Sequence, residues 1–130
     1  MIENQISRQE EITTEFLKIL DTHLNDIVEY RTDKMKEINE IAKLLNIHPT
    51  HLSDTIKNFT GKPACYFYEN KIIDIAKKML EETPKSIKEI AENLTYDPSN
   101  FTKFFKAYAN KTPKQYRLDF LKNNFENKIL

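Results

Sequence analysis

Apolar residues recur every three or four positions through most of the chain, which is the spacing of amphipathic helices. No stretch alternates apolar and polar residues convincingly, as a half-buried strand would. The first clear stretch predicts a helix from Glu11 to Val28. Its apolar face consists of Ile12, Phe16, Ile19, Leu20, Leu24 and Ile27. The pattern therefore predicts an all-α protein, with about seven helices along its length.

A segment of about twenty residues occurs twice, at a constant offset along the chain. Ile38 to Lys57 matches Ile87 to Lys106 at nearly every apolar position and at one proline. Just beyond, Pro63 corresponds to Pro113. A repeat of this kind that occurs only twice indicates duplication of a small subdomain rather than a solenoid.

Each copy is predicted to form a helix, a short turn and a second helix. In the second copy, Ser86 and Glu89 have the spacing of a capping box. Asp97 can cap the next helix, and Pro98 occupies a first position where a missing N–H costs nothing. His48 and Pro49 form a weaker version in the first copy. The short turn between two such helices is typical of a helix-turn-helix unit.

The remaining helices complete the predicted organisation. A long helix covers Ala64 to Glu82 and ends at Thr83-Pro84, because the residue before proline disfavours helical angles. A last helix begins at Thr112-Pro113, directs Tyr116 and Phe120 inward, and frays over residues 122–128. The predicted parts are a flexible N-terminal segment (1–10), a first helix-turn-helix subdomain (11–63), a linker helix (64–83), a second helix-turn-helix subdomain (84–122) and a C-terminal tail (123–130).

The net charge is zero, but the charges are unevenly distributed. Residues 1–48 carry a net charge of −4 and residues 49–130 carry +4. The stretch 98–122 holds six cations and one anion, Asp119. Since phosphate binding depends on a local basic face and not on the total, nucleic acid stays a candidate partner.

Three groups of residues, taken in order, resemble one known family. Residues 41–61 carry Ile41-Ala42 and a turn, residues 71–80 carry Lys71-Ile72-Ile73-x-x-Ala76-Lys77, and residues 87–117 end in Thr112-Pro113-Lys114-Gln115-Tyr116-Arg117. Over roughly residues 16–118 the chain resembles the DNA-binding domain of the AraC/XylS transcription regulators. The resemblance implies two helix-turn-helix (homeodomain-like) units, joined by the linker helix, that place two recognition helices in successive major grooves. It also implies a bacterial regulator, with double-stranded DNA as partner and RNA polymerase as a second partner for an activator. A cytoplasmic location is the default expectation, because the sequence has a single cysteine, no apolar stretch of membrane length and no signal-peptide pattern at its start.

The exposed faces of the two second helices are the candidate DNA surface. Apolar positions, including Phe59 and Tyr108, are expected to face the core, which leaves polar side chains outward. Asparagine can pair with adenine, lysine can donate to guanine, and serine or threonine can contact base or phosphate. By position in the family, the expected base-reading residues are Thr50, Ser53, Asp54, Ser99, Asn100 and Lys103. The expected backbone contacts are His51, Lys57, Thr102 and Lys106.

Two positions in the second copy depart from the family pattern. Thr95 stands in the turn where the family favours glycine, and Asn110 stands where the first copy has Gly61. Asparagine tolerates left-handed backbone angles, whereas threonine adopts them at a cost of about 1–2 kcal/mol. Either the turn at Thr95 uses other angles or the second unit loses some stability there. Asp54 is also unusual, because a carboxylate is repelled by phosphates but can accept from cytosine N4.

Other chemistries find little support in the sequence. Cys65 is expected to be a small core residue. The three histidines are not expected to form a metal site: His48 is expected to be a cap, His23 a surface residue and His51 a DNA contact. We expect no enzyme activity and no cofactor, since no Gly-rich phosphate loop or nucleophile with an evident base is present. From the first residues we expect no signal peptide, and from the length before the first unit we expect no separate effector domain in this sequence, so a stand-alone regulator and a piece of a longer one both stay open. The alternatives are a helical protein-interaction module without significant DNA affinity and a small enzyme with an unrecognised site.

Overall fold

A computed structural model describes residues 7–129 of the chain. The described residues form α-helices and contain no strand, as predicted. The helices are α1 (Arg8–Val28), α2 (Ile38–Leu44), α3 (Pro49–Thr60), α4 (Ala64–Glu82), α5 (Ile87–Asn93), α6 (Pro98–Ala109) and α7 (Pro113–Ile129). Within residues 7–129, none of these helices has both the length and the apolar character needed to cross a bilayer.

The chain divides into two compact units between Glu69 and Asn70, inside α4. The first unit contains α1, α2, α3 and the beginning of α4. The second contains the rest of α4 together with α5, α6 and α7. Each unit therefore includes one copy of the repeat with its own helix-turn-helix.

The core of the first unit forms where α1 packs against α3. The predicted apolar face of α1 is buried, except that Ile19 is only half-buried. From the repeat, Ile41, Ala42, Leu52 and Ile56 are buried beside it. Burying side chains of this size stabilises the fold by about 1.5–3 kcal/mol each, before the entropy of ordering is subtracted.

Helix α1 begins earlier than the predicted Glu11. The Ser7 side chain accepts a hydrogen bond from the Glu10 backbone N–H at 3.0 Å and so caps the helix. Residues 8–10 of the segment predicted to be flexible are therefore helical. Its first six residues lie outside the described part of the chain.

His23 links α1 to the segment that leads into α2. Its Nε2 accepts the Lys36 backbone N–H at 2.9 Å, and the Tyr68 hydroxyl donates to the Lys36 carbonyl at 2.6 Å. His23 is only 4% exposed, so a surface position for this histidine is wrong. Burial, followed by the Lys36 charge, lowers the pKa of His23. The neutral imidazole therefore holds one end of the 29–37 connection in place.

The second unit packs the apolar residues of α4 with those of the second repeat. Its largest fully buried side chains include Phe101, Phe105, Leu80, Ile90 and Leu94. The ring of Tyr116 meets Phe105 edge to face with centroids 5.6 Å apart. This ring contact joins α6 to α7 within the second unit.

Tyr116 and Arg117, at the end of the family motif, tie α7 to the last turn of α4. The Tyr116 hydroxyl donates to the Glu81 carboxylate, and burial together with this bond raises the pKa of Tyr116 to about 12. Arg117 donates from Nε to the Leu80 carbonyl at 3.0 Å and from a terminal nitrogen to the Thr83 carbonyl at 3.3 Å. These carbonyls lack partners within their own helix, so a guanidinium is well suited to cap them.

Both helix-turn-helix turns are built from the same backbone hydrogen bonds. Ile47 donates to Ala42 at 3.0 Å and Asn46 to Lys43 at 3.1 Å, and the second copy repeats this with Tyr96 to Ala91 at 2.8 Å and Thr95 to Glu92 at 3.0 Å. This pair of bonds is the Schellman motif, which needs a left-handed residue after the helix. Asn46 has φ +56° and Thr95 has φ +67°. Of the two possibilities left by the sequence, the turn at Thr95 therefore adopts the left-handed angles.

Four expectations from the sequence are corrected. Phe59 is 45% exposed and Tyr108 is 37% exposed, so neither lies in the core. Both stand in the last turn of their helices, three residues after the fully buried Ile56 and Phe105. Cys65 is exposed and not a core residue. Helix α7 does not fray after residue 122 but continues to Ile129.

Candidate nucleic-acid interface

Helices α3 and α6 are local copies of one another. Each has 12 residues, begins with proline and ends at a left-handed residue, which is Gly61 (φ +83°) in one and Asn110 (φ +63°) in the other. The residues before the prolines, His48 and Asp97, have almost the same angles, φ −61° and ψ 138° against φ −63° and ψ 137°. Because start, length and end agree, side chains that are 49 positions apart occupy the same place on the two helices.

Local capping fixes the first turn of each helix. The His48 Nδ1 accepts the Thr50 backbone N–H at 3.2 Å. In the second copy the Asp97 carboxylate accepts from Ser99 at 3.1 Å and from Asn100 at 3.3 Å. The stronger cap is thus in the second copy, as its sequence predicts. In helix-turn-helix proteins the first residues of the second helix contact the base edges, so this turn needs a defined geometry.

All ten predicted contact residues lie on α3 or α6, and none is buried. Ser53 and Thr102 are half-buried, and the other eight are exposed. Residues spaced by three, four and seven share one face of a helix, so Thr50, Ser53 or Asp54, and Lys57 line one face of α3. The same spacing unites Ser99, Thr102 or Lys103, and Lys106 on α6. Each unit therefore presents one polar face opposite its buried apolar face.

The matched backbones expose an inconsistency in the predicted roles. Ser53 was assigned to bases and Thr102 to the DNA backbone, although the two occupy the same half-buried place. His51 and Asn100 likewise occupy one place but carry different predicted roles. The structure makes these pairs equivalent in position, and the roles of their members stay predictions.

The basic stretch of the second unit has fewer available cations than the sequence indicates. Lys111 forms an ion pair with Asp119 at 2.7 Å, and this bond, with a further one from Gln115, lowers the pKa of Asp119. Arg117 is occupied by the carbonyls at the end of α4. The six cations of residues 98–122 include both of these side chains, and neither internal role is evident from their spacing in the sequence. The exposed cations on α6 itself are Lys103 and Lys106.

One groove in the first unit collects titratable groups outside the candidate interface. It has a volume of about 460 Å³ and its lining includes Glu15, Lys18, His23 and Asp26. The Nε2 of His23 is used by the Lys36 N–H, and the Asp26 carboxylate is paired with Arg31 at 2.8 Å. These two groups are thus committed to structural contacts. In residues 7–129, no cluster of three or more His, Cys, Asp or Glu side chains could hold a metal ion.

Comparison with known proteins identifies the family. A helix-turn-helix domain family matches residues 41–119, which includes both copies of the repeat. The chain belongs to this family, in its AraC-type branch. The resemblance noted in the sequence is thereby confirmed.

Several relatives and solved structures resemble this helix-turn-helix chain. The uncharacterized HTH-type transcriptional regulator YtdP of Bacillus subtilis is 31% identical over 101 residues, which cover 77% of this chain and 13% of YtdP. The C-terminal domain of AraT, a response regulator from Geobacillus stearothermophilus, shares 26% identity with a TM-score of 0.73 and covers 87% of this chain and 88% of its own. A transcriptional regulator of the AraC-type DNA-binding class from Chromobacterium violaceum shares the fold at 18% identity, with a TM-score of 0.71 and coverage of 85% and 92%. The chain spans about an eighth to a third of the length of the curated relatives it matches.

Proposed function

We propose that this chain binds double-stranded DNA in a sequence-specific manner and regulates transcription. The observation that carries the proposal is the pair of matched polar faces on α3 and α6, each positioned by a capped first turn and a left-handed turn before it. Two such helices in one chain, each the second helix of a helix-turn-helix, have the arrangement that enters a major groove. Membership of a family that includes DNA-binding transcriptional regulators supports the same function.

In the proposed mechanism each recognition helix has two kinds of contact. Lys57 and Lys106 neutralise phosphates and release counterions, which supplies affinity without sequence information. Base recognition comes from the first turns and from residues 54 and 103, through hydrogen bonds to base edges. The role is non-enzymatic, because it requires binding energy and no bond rearrangement.

The biological setting follows from this role. A bacterial transcription regulator works on chromosomal DNA, so we place the protein in the cytoplasm. RNA polymerase is the proposed protein partner if the protein activates transcription.

Binding to selected duplexes at several salt concentrations tests the function. Duplexes selected by the protein from a random library are compared with scrambled duplexes by fluorescence anisotropy. Selected duplexes should bind roughly a thousandfold or more tighter at physiological salt. Equal binding of both sets at every salt concentration would contradict the proposal and favour a protein-interaction module.

Lysine variants separate affinity from recognition in the same assay. Lys106→Ala should weaken binding to every duplex. It should also make the negative slope of the log binding constant against log salt less steep by about 0.9, the value for one lost phosphate contact. Lys103→Ala should weaken binding and also alter base preference. Lys18→Ala, which removes an exposed cation from α1, is the matched control and should leave slope and preference unchanged.

A further inference from the structure

The two recognition helices carry opposite charges at one exposed position, although they also differ at the exposed pairs His51/Asn100 and Asn58/Ala107. Thr50 and Ser99 both carry hydroxyl groups, as do Ser53 and Thr102, and Lys57 matches Lys106. At the sixth helical position, by contrast, α3 has Asp54 and α6 has Lys103. The same place on two equivalent backbones therefore carries opposite charges.

Neither charge is neutralised within its own unit. Asp54 and Lys103 are exposed, and neither takes part in an ion pair or side-chain hydrogen bond among residues 7–129. Lys57 stands three residues after Asp54, where an ion pair is sterically possible, yet none forms. Both charged groups therefore remain available to an external ligand.

The two groups have opposite hydrogen-bonding capacity. An ionised carboxylate only accepts hydrogen bonds, and an ammonium group only donates them. In the major groove, cytosine presents the N4 amino donor and guanine presents the O6 and N7 acceptors. Adenine also has an amino donor, but its N7 acceptor lies beside that donor and repels a carboxylate, so cytosine is the better match for Asp54.

We propose that Asp54 faces a cytosine in one half-site and that Lys103 faces a guanine at the corresponding place in the other. The inference rests on the proposed function, since it concerns which bases the two helices select. The hydroxyl and lysine positions that α3 and α6 share should make similar contacts in both half-sites, and the opposite charges of Asp54 and Lys103 should select different bases. A single substitution at residue 54 should then make the half-site selected by α3 more similar to the half-site selected by α6.

Selection from a random duplex library by wild type, Asp54→Lys and Asp54→Asn tests this proposal. Wild type should select two unlike motifs. Asp54→Lys should change the cytosine of one motif to guanine, and Asp54→Asn should change it to adenine, because asparagine pairs bidentately with adenine. In direct binding measurements the preferred base should be favoured over the original cytosine by roughly 5- to 150-fold for each variant.

A charge control separates base reading from general attraction. Asp33→Lys makes the same change of charge on an exposed residue in the 29–37 connection, outside α3. It should raise affinity for all duplexes and leave the motifs unchanged. If Asp54→Lys and Asp54→Asn also leave the motifs unchanged, residue 54 does not read bases and the proposal is overturned. If wild type selects no motif at all, the failure lies with the proposed function instead, and circular dichroism of each variant verifies that it is folded.

Discussion

Thr95 is a β-branched residue held in a left-handed turn, and replacing it with asparagine should stabilise the second unit. Its φ of +67° brings the branched Cβ close to the backbone, which costs about 1–2 kcal/mol for a residue of this type. The first unit shows the alternative, because Asn46 occupies the same place with φ +56° and the same two turn hydrogen bonds. Thr95 is exposed, so no packing is lost when its side chain is changed.

The gain expected for Thr95→Asn is about 1 kcal/mol in the free energy of unfolding, since asparagine relieves most of the strain. For a cooperative unit of this size, 1 kcal/mol corresponds to an increase in Tm of roughly 4–8 °C. Urea unfolding followed by circular dichroism measures the free energy, and a thermal scan measures the Tm.

The reverse substitution provides a control within the same molecule. Asn46→Thr introduces the strained residue into the first unit and should destabilise it by a similar amount. The reasoning is refuted if both substitutions change the free energy of unfolding by less than about 0.3 kcal/mol, because the left-handed angles would then impose no cost that depends on the side chain.

Three further outcomes follow from the contacts around His23 and Arg117. The pKa of His23 is lowered from 6.5 in the folded state, so the unfolded chain binds the proton more readily and stability falls as the pH drops below 6.5. His23→Gln keeps an acceptor for the Lys36 N–H but does not titrate, so its urea midpoint should vary less than that of wild type between about pH 5 and pH 7. If the urea midpoints of the two proteins change equally with pH, His23 does not cause the loss of stability. Arg117→Met removes two charged hydrogen bonds from the end of α4 and should destabilise the protein by about 1.5–3 kcal/mol in urea unfolding. Arg117→Lys keeps the charge but not the paired geometry, so it should restore only part of this loss, and full restoration would show that charge alone suffices.

Features determined by neighbouring residues were accessible from the sequence. Pro49 and Pro98 begin α3 and α6 as predicted, because proline at the first helical position is a local preference. The capping box of Ser86 and Glu89 forms as well, with bonds of 3.1 Å in both directions, and the bonds from Ser86 lower the pKa of Glu89. The same reasoning could have found the start of α1, since Ser7 and Glu10 have capping-box spacing.

Features that depend on tertiary contacts were not accessible. The burial of His23 is required by a backbone N–H thirteen residues away, which no local pattern reveals. Phe59 and Tyr108 continue the apolar spacing of their helices but are exposed in the last turn, so periodicity alone wrongly predicts that they are buried. Arg117 is a residue type that commonly contacts phosphate, and only the structure shows that its guanidinium donates to carbonyls at the end of α4 instead.

For the candidate site, the sequence located the two polar faces but could not establish that their backbones are equivalent. That equivalence rests on the matching starts, lengths and left-handed ends of α3 and α6, and the turns that precede them match because Thr95 adopts the left-handed angle, which the sequence left open between two possibilities. Because the two helices are equivalent, Asp54 and Lys103 can be compared directly as opposite charges at the same position. Which bases each residue contacts depends on the DNA and is not encoded in either helix alone.

We propose that both units contact bases, each through its own recognition helix. Chemical methylation of guanine N7 in the major groove, measured on a selected duplex with and without protein, tests this most directly. We expect two separate clusters of protected guanines, and we expect the double variant Asn100→Ala, Lys103→Ala to lose one cluster while the other persists. A single cluster, or two clusters that respond identically to that variant, would contradict the account.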